Sequence, residues 1–267
     1  MADDARSRPQ LTRRRFLGGA VTLVCAAPVF GFGLSCDKEE EDEHGDGGDG
    51  DGGDAGRRTT VVDGWEIPVG TKLSPERFAT LTAMMDALVP GDETSPGATL
   101  ARAPWYFDQL LGAFDVDPPR IFAGGPYSGR HGGPDDFSTF QRLTRVEEIR
   151  WRTFIEGSQG IPERSFNGPV VGLQERYDSG LDALDRLAQE RSGARFATLS
   201  LDDRRALLMT ADEAFVAEAY AHAVEGTYGD PVYGGNFELR GWAAIGYEGD
   251  RQPIGYTARQ MSHPEEG

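Results

Sequence analysis

Cysteine is nearly missing: the 267 residues contain two, Cys25 and Cys36, and none from residue 37 onward. That excludes a disulfide framework from residue 37 on, along with thiolate metal ligation and a cysteine nucleophile. Histidine is almost as scarce, with His44, His131, His222 and His263 too dispersed to build a metal cage. The chain has no H-E-x-x-H, no Walker lysine, no G-x-S-x-G elbow and no G-x-G-x-x-G after a strand. Gly124-Gly125-Pro126-Tyr127-Ser128-Gly129 comes nearest, but a proline stands where a phosphate-cradling amide is needed. Positive charge is also in deficit, with 27 basic residues against 44 acidic and a net charge of −17. Such a surface repels phosphate backbones, so nucleic-acid binding is excluded.

The front of the chain has the opposite balance: residues 1–36 carry five arginines against two aspartates. Thr12-Arg13-Arg14-Arg15-Phe16-Leu17 precedes an apolar run from Gly18 with no charge until Asp37, a basic n-region followed by an h-region. Its order resembles the twin-arginine export signal, with Arg13 and Arg14 as the pair and Phe16 and Leu17 in their expected places. A transmembrane anchor is the alternative, but Pro28 and several glycines break a stretch barely long enough to cross a bilayer. Cys36 closes Phe32-Gly33-Leu34-Ser35-Cys36 as the acylated cysteine of a lipoprotein would, although leucine sits two residues ahead rather than the usual three. Lipidation and removal at an ordinary signal-peptidase site both stay open. The expected location is periplasmic, reached through the twin-arginine translocase, with attachment to the membrane through Cys36. That route carries proteins already folded, so it suits a chain exported with a cofactor-loaded partner.

The reading divides the chain into a signal segment (1–36), an acidic Gly/Asp-rich linker (37–58), a helical domain (59–250) and a C-terminal tail (251–267). Residues 37–54 hold ten acidic residues and six glycines, and self-repulsion with so little to bury predicts an extended tether. The glycine–aspartate spacing lacks the later glutamate of an EF-hand. A β-prone stretch at 59–68 leads into a helix that starts at Ser74-Pro75, places Phe78, Leu81, Met85 and Leu88 on one face and stops at Pro90-Gly91. A second helical segment is predicted from Ser95-Pro96 to about Leu111, restarted or kinked at Pro104, and further helices over about 137–157 and 170–191, from Ser200, and over about 212–227. Residues 113–136 read as a long loop whose Phe114, Ile121, Phe122 and Tyr127 should pack onto something. The expected fold is mainly α, a compact helical domain of about six helices with long glycine-rich loops.

Chemistry is sparse. His222 alone among the histidines falls on a predicted helix; it suits a general base beside Glu225 or Asp230, or a structural histidine, the commoner case. The richest stretch is Glu225-Gly226-Thr227-Tyr228-Gly229-Asp230-Pro231-Val232-Tyr233-Gly234-Gly235-Asn236, followed by Gly241-Trp242-Ala243-Ala244-Ile245-Gly246-Tyr247. Its glycines permit close backbone approach and its aromatics offer flat faces with polar edges, which fits a recognition surface or an internal packing loop equally.

These residues resemble the small third subunit of gluconate 2-dehydrogenase-type complexes. The resemblance rests on Arg13-Arg14, on Met85 to Asp92 with Ser95-Pro96-Gly97-Ala98, and on E-G-x-Y-G-D-P-x-Y-G-G-N followed by G-W-x-x-I-G-Y. It implies no catalytic residue, no metal and no cofactor of its own. It further implies a partner catalytic flavoprotein of glucose–methanol–choline (GMC) oxidoreductase type holding FAD, a cytochrome c subunit with haem c, and export of the flavoprotein on this chain's leader. Tyr228, Asp230, Pro231, Tyr233, Gly234, Gly235, Asn236, Trp242 and Tyr247 are then the expected partner interface. The acidic tether, Cys36 and the stretch from Arg120 to Gly133 lie outside the minimal family pattern. Two other readings remain: a lipid-anchored carbohydrate-binding protein using the aromatic loop 228–247, and an autonomous hydrolase using His222.

Overall fold

The computed structural model describes residues 58–123 and 140–247. The export residues Arg13, Arg14, Phe16 and Leu17, the lipidation candidate Cys36, most of the linker, part of the 113–136 loop and the tail lie outside the described residues. The described residues belong to one unit, 56–267.

The β-prone stretch forms a hairpin. Strand β1 (Thr59–Val62) runs antiparallel to β2 (Trp65–Pro68), with Thr60 opposite Ile67 and Val62 opposite Trp65. Asp63 and Gly64 both take positive φ, 54° and 85°, as a two-residue turn between right-twisted strands requires. Ile67 is fully buried, and the Trp65 indole donates to Ala197 O at 3.0 Å, fixing the hairpin on the helical body.

Helix α1 (Pro75–Leu88) starts where expected: Ser74 Oγ accepts from Arg77 N, and Pro75 occupies the first turn. Its expected face is buried, and so are Ala79, Thr80, Thr82, Ala83 and Met84. Small residues on the second face let neighbours approach, while the Thr82 hydroxyl satisfies itself on Phe78 O and that of Thr80 bonds to Asp185. α1 is therefore the central helix, packed against β2 and five other helices: α2 (Gly97–Leu100), α3 (Ala103–Leu111), α5 (Leu173–Ser192), α6 (Leu201–Leu208) and α7 (Glu213–Tyr228). The remaining two are α4 (Arg145–Glu156) and α8 (Arg240–Ile245).

The fold is mainly α, as expected, with eight helices among the described residues rather than six. The extra ones have local causes. Arg102 takes φ 58° and Pro104 supplies no N–H, so the helix expected through 95–111 splits into α2 and α3. α8 is too short for periodicity to show. α4 begins at Arg145 rather than near 137, because Thr144 and Glu147 form a reciprocal capping box; Phe140 instead pairs with Ala123 in an isolated bridge. Within α4, Val146 and Phe154 are exposed and Ile155 is fully buried. The described part of the long loop packs as expected: Phe114, Ile121 and Phe122 meet Ile155, Leu143 and Trp151 in a second small core. α5 ends at Gly193 with φ 68°, the left-handed stop that glycine adopts without strain.

Candidate functional site at the end of α7

α7 begins at Asp212, whose Oδ1 accepts from Phe215 N at 2.8 Å, and it buries Ala219, His222, Ala223, Gly226 and Thr227. A Cβ on Gly226 would stand 2.8 Å from Ala103 Cα and 2.9 Å from the Tyr106 ring. The glycine is what lets α3 lie directly on α7. Beyond Gly229, Asp230 Oδ1 accepts from Val232 N and caps a 3-10 turn, Pro231–Tyr233. Gly234 then reverses the chain at φ 96°.

Asn236 ties the end of α7 to the start of α8. It is fully buried, its backbone N–H donates to Gly226 O at 2.7 Å, and its Nδ2 donates to Gly229 O at 2.9 Å. Its Oδ1 accepts from Gly241 N at 2.8 Å and from Trp242 N at 3.3 Å. A Cβ on Gly241 would lie 1.9 Å from Thr227 O, and one on Gly235 would lie 2.2 Å from Gly226 O. Trp242 is buried, donates from Nε1 to Tyr228 O at 2.7 Å, and meets Tyr247 edge-on at 4.9 Å. The Tyr228 hydroxyl is 3.3 Å from Ser95 Oγ, which links this segment to the 85–98 stretch. There Gly97 at φ 64° presses so close to Gly91 that a Cβ would stand 2.2 Å from its nitrogen. The expected interface residues thus divide: Gly235, Asn236 and Trp242 hold the chain together internally, while Tyr228, Asp230, Pro231, Tyr233 and Tyr247 are half-buried.

Beside this knot lies a cleft of about 380 Å3, lined by Tyr106 and Gln109 of α3, Arg120 and Phe122 of the following loop, Trp151 and Phe154 of α4, His222 and Glu225 of α7, and Tyr233. The Tyr233 hydroxyl accepts from Ala123 N at 3.2 Å. The Tyr106 hydroxyl lies beside the Glu225 carboxylate, and burial with that neighbouring negative charge raises the Tyr106 pKa far above the ordinary phenol value. His222 Nδ1 sits 2.7 Å from the Tyr177 hydroxyl, and the imidazole stacks 4.7 Å from Phe107. Burial lowers its pKa to about 4, against a smaller opposing pull from Glu218. The histidine is neutral at physiological pH. Its Nδ1 partner is a tyrosine, where a base–carboxylate pair would place Glu225 or Asp230, and Asp230 caps a turn instead. Among the described residues no cluster of three or more His, Cys, Asp or Glu side chains stands close enough to hold a metal ion. No described helix is long and apolar enough to cross a membrane.

Sequence reading located His222, Glu225 and Tyr233 but not Tyr106, Gln109, Arg120, Trp151 or Phe154 as their neighbours. Local periodicity carries no signal for that meeting, which depends on α3, α4 and α7 converging. The residues held inside the knot, in contrast, are those whose order was specific enough to notice.

No curated protein and no solved structure matches the chain. The sequence model of the family described as gluconate 2-dehydrogenase subunit 3 matches residues 75–249, from the first residue of α1 to just past α8. The matched stretch contains all eight helices, the internal knot and the cleft, and the chain belongs to the gluconate 2-dehydrogenase subunit 3 family.

Proposed function

We propose that this chain is the non-catalytic small subunit of a flavin-dependent dehydrogenase complex that oxidises a sugar, sugar acid or other alcohol. In this reading FAD resides in a GMC-type catalytic subunit and haem c in a cytochrome subunit, and the present chain assists folding, export and placement at the membrane. The family match over 75–249 is the observation that carries it. The sequence at Arg13-Arg14-Arg15-Phe16-Leu17 supports export of the assembled pair by the twin-arginine translocase, and Cys36 supports lipid attachment on the far side.

The surface adds a candidate docking region. Phe154, Phe166, Val170 and Val171 are exposed within eighteen residues, Phe166 at 93%. Arg176 joins two of them, standing 5.8 Å over the Phe154 ring while donating to Val171 O at 2.7 Å. A cluster of large apolar side chains left in water is characteristic of a surface that a partner covers. Trp242 is a poor probe of the interface, since removing a buried ring disturbs the fold as well.

Tagged protein recovered from its host's membrane fraction should therefore bring down a large oxidoreductase in stoichiometric amount, with a flavin spectrum in the eluate. Phe166→Ser combined with Val171→Ser should cut that recovery at least several-fold while leaving thermal unfolding of the subunit unchanged. Replacing Arg13 and Arg14 by lysine should leave both proteins in the cytoplasm. A colourless protein that elutes alone refutes the assignment.

A further inference from the structure

The cleft beside α7 holds groups that partner binding leaves unused. The Tyr177 hydroxyl is fully buried and its hydrogen bond is to His222 Nδ1. A phenol enclosed in this way donates, so Nδ1 accepts and the imidazole proton resides on Nε2. His222 lines the cleft, whereas Tyr177, the partner of its Nδ1, does not. His222 is nine-tenths buried, and its Nε2 makes no hydrogen bond to the described residues.

One turn along α7, Glu225 stands beside the Tyr106 hydroxyl and lines the cleft, where its carboxylate offers lone pairs to further donors. The Tyr233 hydroxyl accepts from Ala123 N and so keeps its own proton to give. Arg120 Nη1 donates to Gln109 Oε1, leaving the rest of the guanidinium fork for other acceptors. Between these polar groups stand the rings of Phe122 and Trp151, edge to face at 6.1 Å, with Phe154 beyond Trp151 at 6.0 Å.

We propose that this cleft is a binding site for one monosaccharide-sized polyol, its C–H face against Trp151 and Phe122 and its hydroxyls exchanging hydrogen bonds with Glu225, Tyr233, His222 Nε2 and Arg120. The mixture of groups selects this class. A lone cation would suit aromatic rings around Glu225, but Arg120 lies in the same wall. A wholly apolar ligand would leave the buried His222 without a partner for its Nε2. A flavin or dinucleotide is too large, since about 380 Å3 is near the lower end of the roughly 300–1,000 Å3 typical of small-molecule sites. A polyol presents apolar C–H faces together with hydroxyls that both donate and accept. The site belongs to this chain alone and does not depend on the flavoprotein assignment. It also differs from an aromatic-loop sugar site at 228–247, because Trp242 is turned into the knot and Tyr233 is the residue of that loop that lines the cleft.

The test is titration of the purified full chain, free of flavoprotein, with D-glucose, D-gluconate and myo-inositol, followed by tryptophan fluorescence and calorimetry. Saturable binding of at least one polyol is expected, with Kd on the order of 1 mM or tighter. Glu225→Gln and Trp151→Leu should each weaken it about tenfold or more, the factor that losing one charge-assisted hydrogen bond or one stacking face produces. Asp202→Asn, at the exposed start of α6, should leave it unchanged. Thermal unfolding of Glu225→Gln, whose side chain is exposed, separates loss of the site from loss of the fold. The proposal is overturned if no polyol binds saturably, if binding survives both cleft substitutions, or if tetramethylammonium binds in preference to every polyol. Recovery of the flavoprotein is scored in a separate experiment, so either reading can fail without the other.

Discussion

Asn236 shows how much one side chain can decide. It sits at φ 44°, where asparagine is tolerated better than most residues, with its amide enclosed and engaged in three hydrogen bonds. Asn236→Ala leaves Gly229 O and the amides of Gly241 and Trp242 without these partners and adds backbone strain. Urea unfolding should show a loss of about 2–4 kcal/mol. His222 gives a pH signature. Its folded pKa of about 4 lies below the ordinary 6.5, so above that value both states are neutral and nothing is lost. As pH falls from 6.5 toward 4 the unfolded chain takes up a proton that the native state refuses, and stability declines by up to about 3 kcal/mol. Carboxylates titrate in the same window, so the measurement is the difference between wild type and His222→Gln. The two stability curves should converge as pH is lowered through that range, and parallel curves would contradict a buried neutral histidine.

At the scale of elements, the helix starts were legible because each is a local contract. Ser74, Ser200 and Asp212 cap as their sequences indicate, each accepting a backbone N–H three residues on. The start of α4 was missed, although Thr144-x-x-Glu147 is itself a start signal, because the apolar spacing of Phe137, Phe140 and Leu143 runs on upstream of it. Thr144→Ala should cost about 1 kcal/mol and fray this helix first, which hydrogen exchange at Val146–Glu148 can detect. The α3–α7 contact belongs to pairs of elements. A methyl at Gly226 meets backbone rather than a flexible side-chain end, so Gly226→Ala should destabilise by about 1–3 kcal/mol and widen the cleft by moving α3 off α7. The same methyl on an exposed helical glycine would instead stabilise.

The described helical body is organised around α1, and its cooperativity should reflect that. Leu81 is fully enclosed, so Leu81→Ala is expected to cost about 2–5 kcal/mol, a large share of the roughly 5–15 kcal/mol that holds a domain together. Denaturation followed by helicity and by tryptophan fluorescence should shift together, because five helices pack directly on α1 and α4 and α8 pack on those. The centrality of α1 was only half legible: the apolar face at Phe78, Leu81, Met85 and Leu88 predicts one buried side, and burial of the Ala79–Ala83 side depends on helices that arrive from later in the chain. Composition and local order by themselves determined the helical class, most of the helix caps, the β-prone stretch at 59–68, the lack of cysteine chemistry and the family motif, since each depends on charge, backbone conformation or spacing within a few residues. Which motif residues turn inward, how burial holds His222 neutral beside Tyr177, and the meeting of Tyr106, Trp151, Glu225 and Tyr233 around one cleft were decided by tertiary structure alone. Those outcomes come from packing between segments up to about 130 residues apart, where exclusion of water sets hydrogen-bond partners and pKa values that no local pattern records.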